Sequence, residues 1–155
     1  MSIKQFINRT KELSKTSIAC SVNKHNPGAI GDFIENLLIK DNHRYNTSDM
    51  HELELKTKSE DTSNNTLNLT KYSCFAKDKL LRTYNKIKDN LALIHYDSFK
   101  DKIKLTRMCI FTKLDRRLFA LYLQTDRRPD VVKHNMSFNN LKKCYDSYEL
   151  YNLTN

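Results

Sequence analysis

Three charged residues in the segment 49–56, DMHELELK, have the types and spacing that phosphodiester hydrolysis requires. Glu54 and Lys56 are two residues apart, so on a strand they project from one face, and a carboxylate at Asp49, entering that strand, can converge with them. Two carboxylates can hold a divalent cation through oxygen, while an ammonium orients the attacking water and offsets the charge that develops on the phosphate. We therefore predict that Asp49, Glu54 and Lys56 are catalytic, and that Asp49 and Glu54 bind Mg²⁺.

Two elements must position these groups. In MHELELKTK the apolar Leu53 and Leu55 alternate with charged residues, which predicts a strand with its charges on one face. Before it, apolar residues from 30 to 39 recur with helical spacing, and Glu35 lies beside that stripe, where it could reach the same metal. Glu52 shares the charged face and could compete as a ligand or be a surface charge. The alternative is that these charged residues lie on a solvated strand face without a catalytic role, since such charges occur together by chance in many charged chains.

The remaining elements are predicted from periodicity and turn residues, and they give an α/β fold with a mixed sheet flanked by helices. In chain order they are a helix over 2–15, a loop NKHNPGAIGD, a strand NTLNLTKY at 65–72 that pairs with MHELELKTK, a basic helix from Asp78 to Leu91, strands over 102–112 and 117–125, the turn DRRPD, an extended segment, and a helix from about Asn139 to Tyr151.

The charge balance favours a polyanionic partner. The 155 residues include 27 Lys and Arg against 18 Asp and Glu, a formal net charge of +9, which suits double-stranded DNA. The alternative is a solvated basic surface without a partner. The candidate phosphate contacts are basic residues on the predicted strands, helices and turns: Lys71, Arg82, Arg116, Arg117, Arg127 and Arg128.

Composition also indicates a compartment. No apolar run approaches the length of a membrane span or of a secretory signal, so we expect a soluble, cytoplasmic protein that does not bind membranes. Four cysteines lack zinc-ligand spacing, and we interpret them as reduced thiols, Cys20 and Cys109 having the apolar neighbours of buried residues.

These segments together resemble a known family. Glu35 in GAIGDFIENLL, Asp49 in TSDMHELELKTK, and the following NTLNLTKY are similar in order and spacing to the core of the MvaI/BcnI type of restriction endonuclease, relatives of the mismatch-repair nicking enzyme MutH within the PD-(D/E)xK superfamily. The similarity is clear over residues 25–75 and weaker to MSFNNLKK at 136–143. It implies a restriction-endonuclease-like core, a catalytic triad of Asp49, Glu54 and Lys56, and Glu35 as the acidic residue on the helix.

The resemblance implies a Mg²⁺-dependent endonuclease that cuts or nicks duplex DNA. We expect one nuclease domain over 1–155, with its catalytic core at about 25–75. The chain is shorter than family members of this type, so we expect a short or C-terminally truncated homologue whose sharp base recognition would need a partner chain or a C-terminal extension. The expected protein partner is a second chain or a cognate methyltransferase system. The alternative is a non-catalytic DNA-binding subunit with a nuclease-like fold that works with a partner chain.

Overall fold

The computed structural model describes residues 2–22, 26–38, 53–62 and 64–154. Asp49, Glu52 and His25 lie outside them. The described elements are, in chain order, α1 (Ile3–Leu13), β1 (Ile18–Ala19), α2 (Pro27–Leu38), β2 (Leu53–Ser59), β3 (Thr66–Ser73), α3 (Lys79–Ile87), β4 (Asn90–Phe99), β5 (Lys102–Leu114), α4 (Arg116–Tyr122), β6 (Gln124–Arg127), β7 (Val131–Ser137), α5 (Phe138–Cys144) and β8 (Tyr145–Asn152).

A mixed sheet forms the centre of the fold. Among the described residues it has five strands in the order β1-β5-β4-β2, with β8 also paired to β5. The β2–β4 pair is parallel and the other pairs are antiparallel. Helices pack on both faces of this sheet, so the coarse prediction of an α/β fold with a mixed sheet flanked by helices is confirmed.

Strand β4 is buried on both sides and separates two cores. Every residue from Leu91 to Tyr96 is buried. Ala92 and Ile94 face the core formed with α1 and α2, whereas Leu91 and Leu93 face the core formed with α3, α4 and α5. Leu91, Leu93 and Ile94 each contribute roughly 1.5–3 kcal/mol on burial. The prediction of a helix extending to Leu91 was therefore wrong at its end, because a continuous apolar run also fits a strand covered on both faces.

A second, antiparallel sheet covers the core on the α3 side. Among the described residues its strand order is β3-β7-β6. The prediction of a strand at 65–72 is confirmed, but its predicted pairing with β2 is wrong, since β3 pairs with β7. Leu67 and Leu69 on β3 are buried with Met136 of β7 in the second core, and that burial draws β3 away from the central sheet.

The prediction of a strand over 117–125 is wrong for the first part of this segment. Residues Arg116–Tyr122 form α4, and only Gln124–Arg127 form a strand. Asp115 caps the helix, because its side chain accepts a hydrogen bond from the backbone N–H of Leu118 at 2.9 Å. Phe119 is fully buried against the second core, and this helical packing outweighs the apparent alternation of RLFALYL.

The predicted helix over 139–151 ends early. It stops at Cys144, and β8 follows at once. Strand β8 pairs with the second half of β5, from Arg107 to Leu114, whose backbone groups need partners on that side. Tertiary pairing therefore decides the structure of this tyrosine-rich segment.

The predicted loop before α2 is shorter than expected, since the helix begins at Pro27. Asn26 caps it by accepting a hydrogen bond from Ala29 N–H at 3.2 Å. The helix near 2–15 is confirmed as α1, and the strand over 102–112 as β5.

Two further observations concern composition. All four cysteines are free thiols, and Cys20 and Cys109 are buried as predicted. Within the part of the chain that the structure describes, no helix has the length and apolar character needed to cross a membrane.

Candidate active site

Strand β2 presents its charged residues as the sequence predicts. Leu53 and Leu55 are buried in the first core, and Glu54 and Lys56 project from the opposite face, where both are half-buried. The parallel register places Glu54 beside Leu91 and Lys56 beside Leu93 of β4. The two side chains therefore emerge next to the buried part of β4.

Helix α2 packs closely on the Leu53 and Leu55 face of β2, and its Glu35 acts on the pair through its charge. The approach is close, because a Cβ on Gly31 would lie 3.0 Å from Oγ1 of Thr57, and Thr57 would have to shift by a few tenths of an ångström to admit it. Ile34, fully buried, anchors the helix in the first core. Glu35 is half-buried, and its negative charge raises the pKa of both Glu54 and Lys56. The structure thus places Glu35 within electrostatic range of both residues.

Lys86 is a member of the site that sequence reasoning missed. It was predicted only as one of several basic residues on a helix surface. In the structure its Nζ lies 3.8 Å from Oε2 of Glu54. An ion pair this long and partly exposed contributes only about 0.2–1 kcal/mol to stability, so its main effect is on the charge balance around Glu54. No local sequence signal could reveal it, because the contact joins residues on separate elements.

A buried polar network fixes the helix that carries Lys86. The Thr83 hydroxyl lies 2.7 Å from Oγ1 of Thr70 and 2.6 Å from Nδ1 of His134. At the end of α3, the Tyr145 hydroxyl donates to the carbonyl oxygen of Ile87 at 2.6 Å. These bonds attach α3 to β3, β7 and the start of β8, and so they hold Lys86 next to β2.

Burial shifts the two central groups towards their neutral forms. It raises the pKa of Glu54, and the positive charges of Lys56 and Lys86 offset this only in part. It lowers the pKa of Lys56; Lys86 lowers it further, while Glu54 and Glu35 act in the opposite sense. A cation bound near Glu54 would favour its carboxylate form, and perturbed groups that converge in this way are typical of functional sites.

A groove of about 520 Å³ runs from Lys56 along the second half of β2 to the beginning of β3. Lys58 spans the nearby gap between these strands by donating to the carbonyl oxygen of Thr66 at 2.8 Å and to Oδ1 of Asn64 at 3.2 Å. Both lysines line the groove, but Lys58 is occupied in joining the two strands, whereas Lys56 is two residues from Glu54 on the same face of β2.

The described residues supply only some of the ligands that a hard divalent cation needs. Glu54 and Glu35 supply carboxylate oxygens, the ligand type that Mg²⁺ prefers. No group of three or more potential ligands from Asp, Glu, His and Cys occurs within residues 2–22, 26–38, 53–62 and 64–154. The third predicted carboxylate, Asp49, lies outside these ranges, so its place in the site stays a prediction.

The predicted DNA contacts are divided between two regions. Arg82 lies on α3 with its guanidinium 4.9 Å from the ring centre of Tyr72, and Arg116 lies 5.5 Å from the ring centre of Tyr84 on the same helix. The other predicted contacts are exposed on β3, α4, β6 and the turn after β6: Lys71, Arg117, Arg127 and Arg128. Among these six predicted DNA contacts, Arg82 is the one that lies on α3, the helix that also carries Lys86.

A second charged cluster lies at the end of β2 and was not predicted. Arg107 donates to Oε1 of Glu60 through Nε at 3.2 Å and Nη2 at 2.9 Å, and Thr106 donates to Oε2 at 3.0 Å. Nearby His95 is buried, and desolvation lowers its pKa to about 4. Through these bonds to both carboxylate oxygens of Glu60, the turn after β2 is tied to β5, which gives the cluster a structural role.

A scan of protein-family models finds no match to this chain, and no curated protein matches it significantly.

Proposed function

We propose that this protein is a Mg²⁺-dependent endonuclease that hydrolyses phosphodiester bonds in duplex DNA, built on a restriction-endonuclease-like core of the PD-(D/E)xK type. The observation that carries the proposal is the convergence of Glu54 and Lys56 on one face of β2 with Lys86 of α3 and the charge of Glu35. The resemblance of residues 25–75 to the MvaI/BcnI type of enzyme supports the same activity.

Each residue of the site has a distinct task in this proposal. Glu54 holds the metal, with Asp49 and Glu35 as the other carboxylates. Lys56 lies beside Glu54, where its ammonium, with a lowered pKa, can orient the attacking water and give up a proton that the neutral amine can take back. Lys86 supplies positive charge where negative charge accumulates on the phosphate, as preorganised cations do in phosphoryl transfer.

Magnesium fits the chemistry of this donor set. When bound, it supplies a Lewis acid for the phosphoryl oxygen and acidifies a water. The raised pKa of Glu54 is consistent with this, because a site made of half-buried carboxylates is completed by a cation that neutralises them.

Double-stranded DNA is the proposed substrate because of the charge on the whole chain and of the basic helix at the site. The net charge is +9, and Arg82 shares α3 with Lys86. A positive surface that leads into the site would attract the phosphate backbone and position it, as sequence-independent contacts do.

The test is a plasmid-nicking assay on the purified chain with Mg²⁺, Ca²⁺ or EDTA. We expect conversion of supercoiled plasmid in Mg²⁺ only, since Ca²⁺ has a larger and looser coordination sphere that does not fix the nucleophile in line. Lys56→Ala should abolish cleavage, whereas Lys58→Ala, on the same face of the same strand, should retain it.

Folding and DNA binding must be measured on the same variants. Retained DNA binding without cleavage by the wild-type chain would contradict the nuclease and favour the alternative of a DNA-binding subunit that needs a partner chain. Equal loss of folding in the Lys56 and Lys58 variants would assign Lys56 a structural role instead.

A further inference from the structure

An exposed apolar surface lies at the beginning of α3, at the opposite end of the helix from Lys86. Phe75, in the turn between β3 and α3, is 88% exposed, and Leu80 and Leu81 on the first turn of α3 are 48% and 43% exposed. We name these three residues the α3 apolar tip. Three large apolar side chains within seven residues differ from the isolated exposed residues that are normal on a protein surface.

The turn that carries Phe75 is braced rather than loose. Lys79 Nζ donates to the carbonyl oxygens of Cys74 at 3.1 Å and Ala76 at 2.7 Å. Ala76 N–H donates to the carbonyl oxygen of Ser73 at 3.0 Å, and Phe75 N–H donates to the Ser73 hydroxyl at 3.3 Å. These bonds therefore fix the backbone from which the exposed side chain of Phe75 projects.

Positive charge surrounds this tip and continues to the proposed active site. Lys77 and Lys79 follow Phe75 in sequence, with the exposed Asp78 between them, and Lys79, Arg82 and Lys86 recur at helical spacings of three and four, so they share one side of α3. Arg82 rests on the ring of Tyr72, and among the described residues its guanidinium makes no ion pair. Its donors are thus available to an external anion.

We propose that the α3 apolar tip inserts Phe75 between stacked bases of the DNA substrate while Arg82 binds a neighbouring phosphate. Duplex DNA has phosphates on its outside and stacked bases inside, so it offers partners both for the basic residues and for the aromatic ring. Proteins that kink DNA insert apolar side chains between base steps in this way. The proposal rests on the nuclease function proposed above, and it adds a second point of contact and a local distortion of the duplex.

The geometry of the helix sets the distance between wedge and cleavage. From Lys79 to Lys86 the helix axis rises about 10 Å at about 1.5 Å per residue, which corresponds to about three base-pair steps at about 3.4 Å each. The wedge would therefore act roughly three base pairs or more from the phosphate that is cut. Such a contact would hold the duplex in register with the site.

The test compares Phe75→Ala with Phe99→Ala on the full chain. Phe99 is also strongly exposed and lies beside a lysine, since Lys100 Nζ is 5.5 Å from its ring centre, and it therefore provides a matched control. Binding to a short duplex that contains 2-aminopurine is measured in EDTA, so that no metal or cleavage is needed.

We expect the wild-type chain to increase 2-aminopurine fluorescence by unstacking the base. Phe75→Ala should lose this increase and bind about ten-fold more weakly, while Phe99→Ala should match the wild type. Arg82→Gln should reduce the dependence of log K on log salt by about 0.9, the value for one phosphate contact.

The outcomes separate this proposal from the nuclease function. If the wild type nicks plasmid but Phe75→Ala binds and unstacks DNA as the wild type does, the wedge is overturned and the nuclease stands. If the wild type unstacks DNA through Phe75 but never cleaves, the wedge stands and the nuclease fails. If Phe75→Ala changes only self-association or binding to anionic vesicles, the tip contacts another copy or a membrane, and the wedge is overturned.

Discussion

Lys86 Nζ and Glu54 Oε2 lie 3.8 Å apart, although α3 and β2 are joined by neither sequence proximity nor strand pairing. The positive charge of Lys86 lowers the pKa of Glu54 and so opposes the effect of burial. The lysine therefore helps to keep the carboxylate ionised in a partly desolvated position.

Lys86→Ala should reduce Mg²⁺-dependent cleavage by about 10- to 100-fold, as expected when one preorganised charge is removed. Because the pKa of Glu54 then rises, the acidic limb of the pH–rate profile should move to higher pH. Lys88→Ala, an exposed lysine at the same helix end, serves as the control. An unchanged pH profile in the Lys86 variant would show that this lysine does not act on Glu54.

Lys56→Met should make the folded protein more stable at pH 7 while removing activity. Burial lowers the pKa of Lys56, so the unfolded chain binds this proton more tightly than the folded protein does. The resulting destabilisation is complete below the folded pKa and disappears as the pH rises above the unfolded value of about 10.5.

The gain in the free energy of unfolding should be smaller than the roughly 1–4 kcal/mol found when a whole buried ion pair is replaced by apolar residues, because Glu54 keeps its charge and loses that of Lys56. Urea denaturation of both proteins at pH 7 and near pH 10.5 tests this. A variant less stable than the wild type at pH 7 would contradict it.

His95→Gln should reduce the sensitivity of the fold to acid. Desolvation lowers the pKa of His95 from 6.5 to about 4, with a further lowering by Arg107 and an opposing effect of Glu60. As the pH falls, the unfolded state takes up this proton first. The stability that the folded protein has with a neutral imidazole is therefore lost between about pH 6.5 and about pH 4, on the order of 3 kcal/mol in total. Parallel curves of unfolding free energy against pH for wild type and variant would exclude His95 as the responsible group.

Tyr145→Phe should lower stability by about 1–3 kcal/mol, because the buried carbonyl oxygen of Ile87 loses its donor. Tyr148→Phe is the matched control, since Tyr148 is 42% exposed on the same strand. Thermal unfolding of the two variants measures the difference. If Tyr145→Phe is as stable as Tyr148→Phe, the hydroxyl does not hold the end of α3.

The part of the site that could be predicted from sequence is the part encoded by short periodic patterns. The alternation of Leu53, Glu54, Leu55 and Lys56 determines which side chains share a face, and the structure has the same arrangement. Helix α2 is equally local, since its buried stripe recurs at helical spacing. Both signals act within a dozen residues, and tertiary packing does not oppose them.

The errors arise where distant segments decide the structure. The parallel partner of β2 is β4, and the partner of β3 is β7, neither of which is adjacent in sequence. For β8, pairing with β5 prevails over the helical spacing of its tyrosines. The position of Lys86 depends on Thr83, His134 and Tyr145, which belong to three different elements.

The alternation in β2 also limits how this protein can change over evolutionary time. Substitutions at Glu54 or Lys56 leave Leu53 and Leu55 in the core, so point mutations can remove the charges of the candidate site without unfolding the protein. A one-residue insertion or deletion within the strand would reverse the faces, driving charges into the apolar core and leucines into the groove. Homologous chains that fold in this way should therefore tolerate replacement of these charges but no change in the length of β2.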